Sequence, residues 1–324
     1  MIFLGIPLWG ILNEFHIGVT IFFVLSGFLI ASRYADSKVS FKKYLWNRFV
    51  RIYPIYFILT LLTFVLKGFN TGFSYRLWTL FVLNITFLRG FIESTKFSLV
   101  AQGWSLTVEE TFYFLAPVIF LLLRRYGKIV YLAPLFLILT GLFFSKLLNN
   151  SILYGGVDFT MNYTFFGRST EFFVGIFLAQ IVKEYNKTES SKWIRPIQGV
   201  IFGVLLAWVL HFISVYFNYD FGIRSYFGMI VNTLLIPIFV VAPVILTYTS
   251  KKIKSSLFES NFMQVLGKSS FVFYLIHVGI VRNFLGYLGI SNEIIMLLSL
   301  LFLSFLIWRF VEEPIHLKLK TLIH

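Results

Sequence analysis

Four groups of ionisable residues stand in otherwise apolar sequence, each with a spacing that could do chemistry. Arg48 and Arg51, in Arg48-Phe-Val-Arg51-Ile-Tyr53-Pro54, are three apart and share one helix face. Paired guanidiniums bind phosphate in bidentate fashion, which suits a phosphate-bearing donor. The same pair could instead anchor a helix end on lipid phosphates. Glu109 and Glu110 lie in Trp104-Ser105-Leu-Thr-Val-Glu109-Glu110-Thr-Phe-Tyr113. They project about 100° apart on a helix, so at least one should point away from lipid. A carboxylate among Trp104 and Tyr113 could serve as a general base. Alternatively the acids complement a helix N-terminus, with Ser105 as a loose cap. Arg168 and Glu171, at i and i+3, read either as a buried ion pair or as part of a site. His277 falls in the middle of an apolar stretch, three residues after Tyr274 and on its face. It is either hydrogen-bonded packing or a catalyst. Glu312-Glu313-Pro314 could pair with Arg309, or Pro314 could stop the helix there. The sequence has no metal-ligand cluster, phosphate-binding glycine loop or nucleophile elbow.

The elements that must hold these residues follow from composition. Of 324 residues, 58% are hydrophobic and 13% charged, with a mean hydropathy of +0.83. A soluble domain is about half apolar and a quarter charged, so there are too few charges here to coat a soluble enzyme. The 41 Phe, 17 Tyr and 7 Trp exclude disorder. A polytopic membrane protein remains, all-α, because only helices or closed barrels satisfy their backbone in lipid. The net charge of +14 then reflects loop bias rather than nucleic-acid binding. The chain has no cysteine, hence no disulfide or thiolate chemistry. Residues 1–12 are apolar but lack the basic region and cleavage site of a signal peptide. No linker or repeat divides residues 1–324, which read as a single membrane-embedded domain.

Apolar segments fall at 17–32, 51–67, 77–91, 108–124, 129–147, 164–182, 196–217, 227–249, 268–289 and 291–311. Nineteen of the 28 Lys and Arg concentrate in five places: 33–51, 124–128, 183–195, 251–254 and 309–320. If these basic stretches are cytoplasmic, alternation is regular from residue 108 onward. It fails between 51 and 124, where three segments separate two basic loops. Segment 77–107 is therefore expected to enter and leave the same side as a re-entrant segment, a form tolerated where the backbone is buried in protein. If 92–107 supplied another crossing, parity would also be restored. The first reading gives about nine crossings, with residues 1–16 outside and the C-terminus cytoplasmic. Arg48 and Arg51 are then at the cytoplasmic face and Glu109 and Glu110 near the external one. A transporter or an intramembrane enzyme fits such polar groups; the absence of repeat halves favours the enzyme.

At these residues the sequence resembles the acyltransferase 3 family of integral membrane O-acyltransferases. The resemblance is carried by Gly18-Val-Thr-Ile-Phe-Phe-Val-Leu-Ser26-Gly27-Phe28-Leu29-Ile30, the Arg48–Pro54 and Trp104–Tyr113 motifs, Arg168-Ser-Thr-Glu171-Phe-Phe-Val-Gly175, Leu266-Gly267-Lys-Ser-Ser-Phe-Val-Phe-Tyr274-Leu-Ile-His277, and Glu313-Pro314. They keep family order along essentially the whole chain. The resemblance implies transfer of an acyl group, commonly acetyl, from cytoplasmic acetyl-CoA or another acyl-CoA co-substrate to a hydroxyl of a cell-envelope or lipid-linked saccharide. No bound cofactor is implied, and the expected partners are membrane lipid, acyl-CoA and the saccharide acceptor. It implies donor contacts at Arg48 and Arg51, which Tyr53 adjoins, and sets Glu109 and Glu110 near the acceptor side; on their own chemistry these two and His277 are the catalytic candidates. Trp104, Ser105, Tyr113, Arg168, Glu171 and Tyr274 become acceptor-side or structural. The expected location is a bacterial cytoplasmic membrane. The family also carries a preceding first helix with an arginine and a catalytic histidine; His16, just ahead of Gly18, is the nearest candidate here. Without that helix the expectation divides between an active acyltransferase whose first helix precedes Met1, a catalytically inactive member, and a component that only exports acyl groups.

Overall fold

The computed structural model describes residues 2–3, 6–7, 17–37, 39–148, 155–188, 226–249 and 260–323. Apart from a two-residue antiparallel pairing of Ile2–Phe3 with Ile6–Pro7, all regular structure among them is helical. Five helical stretches are long and apolar enough to cross a membrane: Phe41–Thr71, Gly103–Leu147, Val157–Glu184, Gly228–Leu246 and Glu293–Lys320. A sixth crossing arises if Asn261–Ile276 and Ile280–Tyr287 form one broken span. The predicted segment 196–217 and His16 lie outside the described residues.

The helices sort into two compact units, and the family-like motifs divide between them. The first unit comprises Met1–Lys38 and Phe114–Ile253. Its centre is the pairing of α1 (Ile17–Tyr34) with a later helix, here numbered α7 (Phe165–Thr188). Lipid gives packed helices little hydrophobic drive, so close backbone approach has to hold them together. Gly27 and Gly175 permit it: a Cβ on Gly27 would lie 2.2 Å from Phe172 O, and one on Gly175 2.1 Å from Val24 O. Phe23 stacks on Phe172 beside the crossing, with centroids 4.7 Å apart. Helices α5 (Ala133–Leu147) and α6 (Val157–Tyr163) pack on α7. Between α8 (Tyr226–Ile230) and α9 (Ala242–Thr249) the chain winds through two π-helical turns that flank Ile236, the second beginning at Pro237. Proline cannot donate to the preceding turn, and a widened turn absorbs the gap.

The second unit comprises Val39–Tyr113 and Lys254–His324. Helix α2 (Phe41–Thr71) has 31 residues, about 46 Å at 1.5 Å per residue, more than a bilayer core of about 30 Å. Ser40 caps its start by accepting from Lys43 N, and Gly72, at φ +83°, ends it. Helix α3 (Tyr75–Ile85), capped by Ser74, is too short to cross. Two 3₁₀ turns, Leu88–Phe91 and Glu93–Thr95, then lead to α4 (Gly103–Tyr126). The rest comprises α10 (Asn261–Ile276), α11 (Ile280–Tyr287), α12 (Glu293–Ile307) and α13 (Glu313–Lys320).

Two local expectations need correction. Segment 268–289 is not one continuous helix: α10 and α11 meet at a bend of 81°. Gly279 sits there with φ +92°, a backbone state that other residues reach only under strain. Pro314 does not stop the last helix. A π-helical turn at Trp308–Glu312 places the proline in the first turn of α13, where its missing N–H is harmless, and helix continues to Lys320. The Arg309–Glu313 ion pair is present, as the alternative reading had it.

Candidate active site

All donor-side and most catalytic candidates lie in the second unit. Helix periodicity turns Arg48 of α2 toward α4, where its guanidinium lies over the Tyr113 ring, 5.8 Å from the centroid. Tyr113 donates its hydroxyl to Glu109 Oε1 one helical turn earlier, and Glu109 is only 1% exposed. Glu110 sits in the field of both Arg48 and Glu109. Two groups expected at opposite faces of the membrane thus form one cluster: Arg48, Tyr113, Glu109 and Glu110. Helix spacing alone did not show it, because the depth at which α2 and α4 meet is a tertiary property.

Arg51 faces a different neighbour. One turn along α2, it lies in the field of Glu312 and His316 near the junction of α12 and α13. His316 hydrogen-bonds the Val50 backbone, and Trp46 donates to Leu319 O at 3.1 Å. Glu312 Oε2 is buried without a hydrogen-bond partner among the described residues. His316 was missed in the sequence, and Glu312 was read only as a helix-end residue. Their signal, a histidine one turn after an acid at a basic helix end, is common on solvated surfaces. Tyr53 stacks in a ladder between Phe49 and Phe57, at 4.6 and 5.9 Å, and meets the Phe87 ring edge-on.

The start of α4 is tied to the break between α10 and α11. Ser105 Oγ and Tyr274 OH are 2.6 Å apart, Tyr274 OH donates to Gln102 O at 3.2 Å, and Gln102 Nε2 donates to Val278 O at 3.0 Å. His277 is the last residue before the bend rather than the middle of a continuous span, and it is half-buried. Its Nδ1 lies 2.7 Å from Tyr274 O, and its ring stacks on Phe273 at 5.7 Å. A ring nitrogen facing a carbonyl carries the proton, which leaves Nε2 with a lone pair to accept one. Trp104 belongs to the same turn of α4 as Ser105.

Arg89 was not singled out in the sequence. It is fully buried, and its guanidinium donates to Asn84 Oδ1 and Val100 O, both at 2.6 Å, and to Ser98 O. Asn84 in turn donates to Leu80 O and Ser98 Oγ, at 2.7 and 2.8 Å, and receives the Tyr56 hydroxyl on its own carbonyl at 3.1 Å. Every one of these acceptors is neutral, so Arg89 organises backbone rather than balancing an acid. It folds the stretch from α3 to α4 around itself and holds Phe87 and Leu99 at φ +59° and +50°, values unusual for residues with side chains. Thr107, in the first turns of α4, fastens the same stretch by donating to Phe87 O at 2.8 Å.

Arg168 and Glu171 belong to the first unit. They form an ion pair at 2.8 Å, with side chains 2% and 0% exposed. Arg168 also donates to Thr20 Oγ1 at 3.0 Å and lies over Phe23, while Thr20 reaches Asn232 Oδ1 at 3.4 Å. This network joins α1, α7 and the first π-helical turn. The two charges neutralise each other inside a helix crossing.

The comparisons with known proteins agree with the motif order. The acyltransferase 3 family, described as an acyltransferase domain, matches residues 3–310. An uncharacterised protein of Haemophilus influenzae is 30% identical over 206 residues, covering 57% of this chain and 83% of its own length. A protein of Acidianus two-tailed virus named "Putative acetyltransferase ORF330" is 33% identical over 103 residues, 32% of this chain and 30% of its own. No solved structure matches. Helices apolar enough to span a membrane and a family match from residue 3 to residue 310 lead to one conclusion: the chain is an integral membrane protein of the acyltransferase 3 family.

Proposed function

We propose that the protein is an O-acyltransferase that moves an acyl group, acetyl in the simplest case, from cytoplasmic acyl-CoA to a hydroxyl of a cell-envelope or lipid-linked saccharide. The observation that carries this reading is the pair of cationic contacts on α2. Arg48 is held over Tyr113 in the field of Glu110, and Arg51 lies in the field of Glu312 and His316. Guanidiniums in this position suit the phosphates of a CoA donor, and the adjoining carboxylates can take a proton.

In the reaction, a base removes the proton of the acceptor hydroxyl, and the oxygen attacks the thioester carbonyl. The new C–O bond forms, the C–S bond breaks, and the proton passes to the departing CoA sulfur. Glu109, Glu110 and His277 are the candidate bases. Tyr113 and the Ser105–Tyr274 pair supply hydroxyl donors near the cluster and near the start of α4. The topology belongs to the same proposal: about nine crossings in the cytoplasmic membrane of a bacterium, 77–107 re-entrant, and the C-terminus inside.

Alanine substitutions on α2 test it. Arg48→Ala and Arg51→Ala should each abolish acetyl-CoA-dependent labelling of saccharide in inverted vesicles while the protein still inserts. Unchanged transfer in both variants would remove the donor site. Labelled acetyl that crosses the membrane without becoming covalently attached would point to export instead. Glu109→Gln and Glu110→Gln should not both be silent.

A further inference from the structure

An open cleft of about 570 Å³ lies in the second unit, lined by α3 from Tyr75 to Leu83 and by residues 93–98, and by none of the Tyr113 cluster. Its volume is in the range of small-molecule sites. Three kinds of group line it. Tyr75 is 89% exposed and Phe97 half exposed, so two aromatic rings stand at the rim, the Phe97 ring with Lys96 Nζ over one face, 5.5 Å from its centroid. Arg76 is exposed and has no ion pair or hydrogen bond among the described residues. Lys96 is paired with Glu93 at 3.2 Å, so the cleft keeps one uncompensated positive charge. The hydroxyls of Thr79 and Thr95 donate back to Tyr75 O and Arg89 O, leaving their lone pairs as acceptors.

These groups suit one class of ligand. A sugar ring presents apolar C–H faces to aromatic rings and hydroxyl donors to oxygen lone pairs; a free guanidinium adds recognition of a carboxylate. A lipid headgroup would use the cation alone and leave the rings idle. Sidedness fits as well. The mouth of the cleft at Tyr75 and Arg76 follows the Thr71 end of α2, whereas Arg48 and Arg51 lie near the start of that helix, which is longer than the bilayer core. We infer that the cleft between α3 and residues 93–98 binds an acidic saccharide, docking the acceptor on the membrane face opposite the acyl donor. The word acceptor rests on the acyltransferase reading; the binding itself does not.

The test therefore contains no acyl donor. Full-length protein in phosphatidylcholine nanodiscs is titrated with methyl glucuronide, methyl glucoside and glycerol 3-phosphate, with binding followed by saturation-transfer NMR. The glucuronide should bind more tightly than the glucoside. Arg76→Ala should cost about tenfold or more in glucuronide Kd, as loss of a charge-assisted hydrogen bond does, and bring it near the glucoside. Tyr75→Ala with Phe97→Ala should remove both sugars. These side chains are exposed, and unchanged circular dichroism would certify the fold. Absence of sugar binding overturns the inference. So does glycerol 3-phosphate binding that survives loss of both rings, which would make the cleft a headgroup site. Arg51→Ala should retain sugar binding, so an inactive enzyme with an intact cleft, or an active enzyme without one, would be told apart.

Discussion

Arg168 and Glu171 show how a buried charge pair sets the cost of change at single residues. Each side chain is almost wholly shielded, and the guanidinium has only Glu171 as a charged partner among its described contacts. Removing one partner strands the other, whereas removing both leaves an apolar contact. Arg168→Leu should therefore lower stability by about 3–5 kcal/mol, and Arg168→Leu with Glu171→Leu should recover most of it. Thermal unfolding in detergent measures both, and equal losses in the single and double variants would show that the pairing is not what matters. This pair was legible in the sequence because i,i+3 spacing within one helix is enough to bring the groups together. Arg89 was not. Its acceptors are side chain at 84 and main chain at 98 and 100, and no residue-type pattern marks a carbonyl that turns toward a cation. The meeting of Arg48 with Tyr113 was hidden for a related reason: each motif was readable by itself, but where along two helices they meet was not.

At the scale of elements, hydropathy located most helices and missed how they end or bend. The apolar run at 268–289 is continuous in composition, and only Gly279 at φ +92° betrays a bend of 81°. The helix after Pro314 persists because a π-helical turn precedes it, a backbone adjustment that residue type does not announce. The crossing of α1 and α7 is easier to read, since Gly27 and Gly175 lie within the very motifs that carry the family resemblance. Their role is to let backbones touch. Gly175→Leu should separate the helices: a Cβ already has no room, and a full side chain has none at all. The expected result is insertion into membranes with loss of a sharp thermal transition, followed by fluorescence-detected gel filtration on heating. A transition like that of the unaltered protein would mean that other contacts hold α1 to α7.

For the whole molecule, the charge count and the helices make a statement about sides that chemistry can check directly. The chain contains no cysteine, so each introduced one is a single probe. Tyr75→Cys and Ser94→Cys should both react with an impermeant maleimide from outside intact cells, and Lys42→Cys and Lys318→Cys only after permeabilisation. Labelling of residues 75 and 94 from opposite sides would make the intervening stretch a crossing and reverse the re-entrant reading. The stretch has a further consequence, in descent rather than in structure. Arg89 is received by main-chain oxygens at Ser98 and Val100, which any amino acid carries. At Gly103, by contrast, an added Cβ would lie 2.3 Å from the same guanidinium. Mutation can thus change the cleft wall at Phe97 while the arginine, its main-chain acceptors and the glycine stay as a fixed frame. On the inferred role of the cleft, ligand preference can drift among relatives through that one wall while the frame around Arg89 holds the fold.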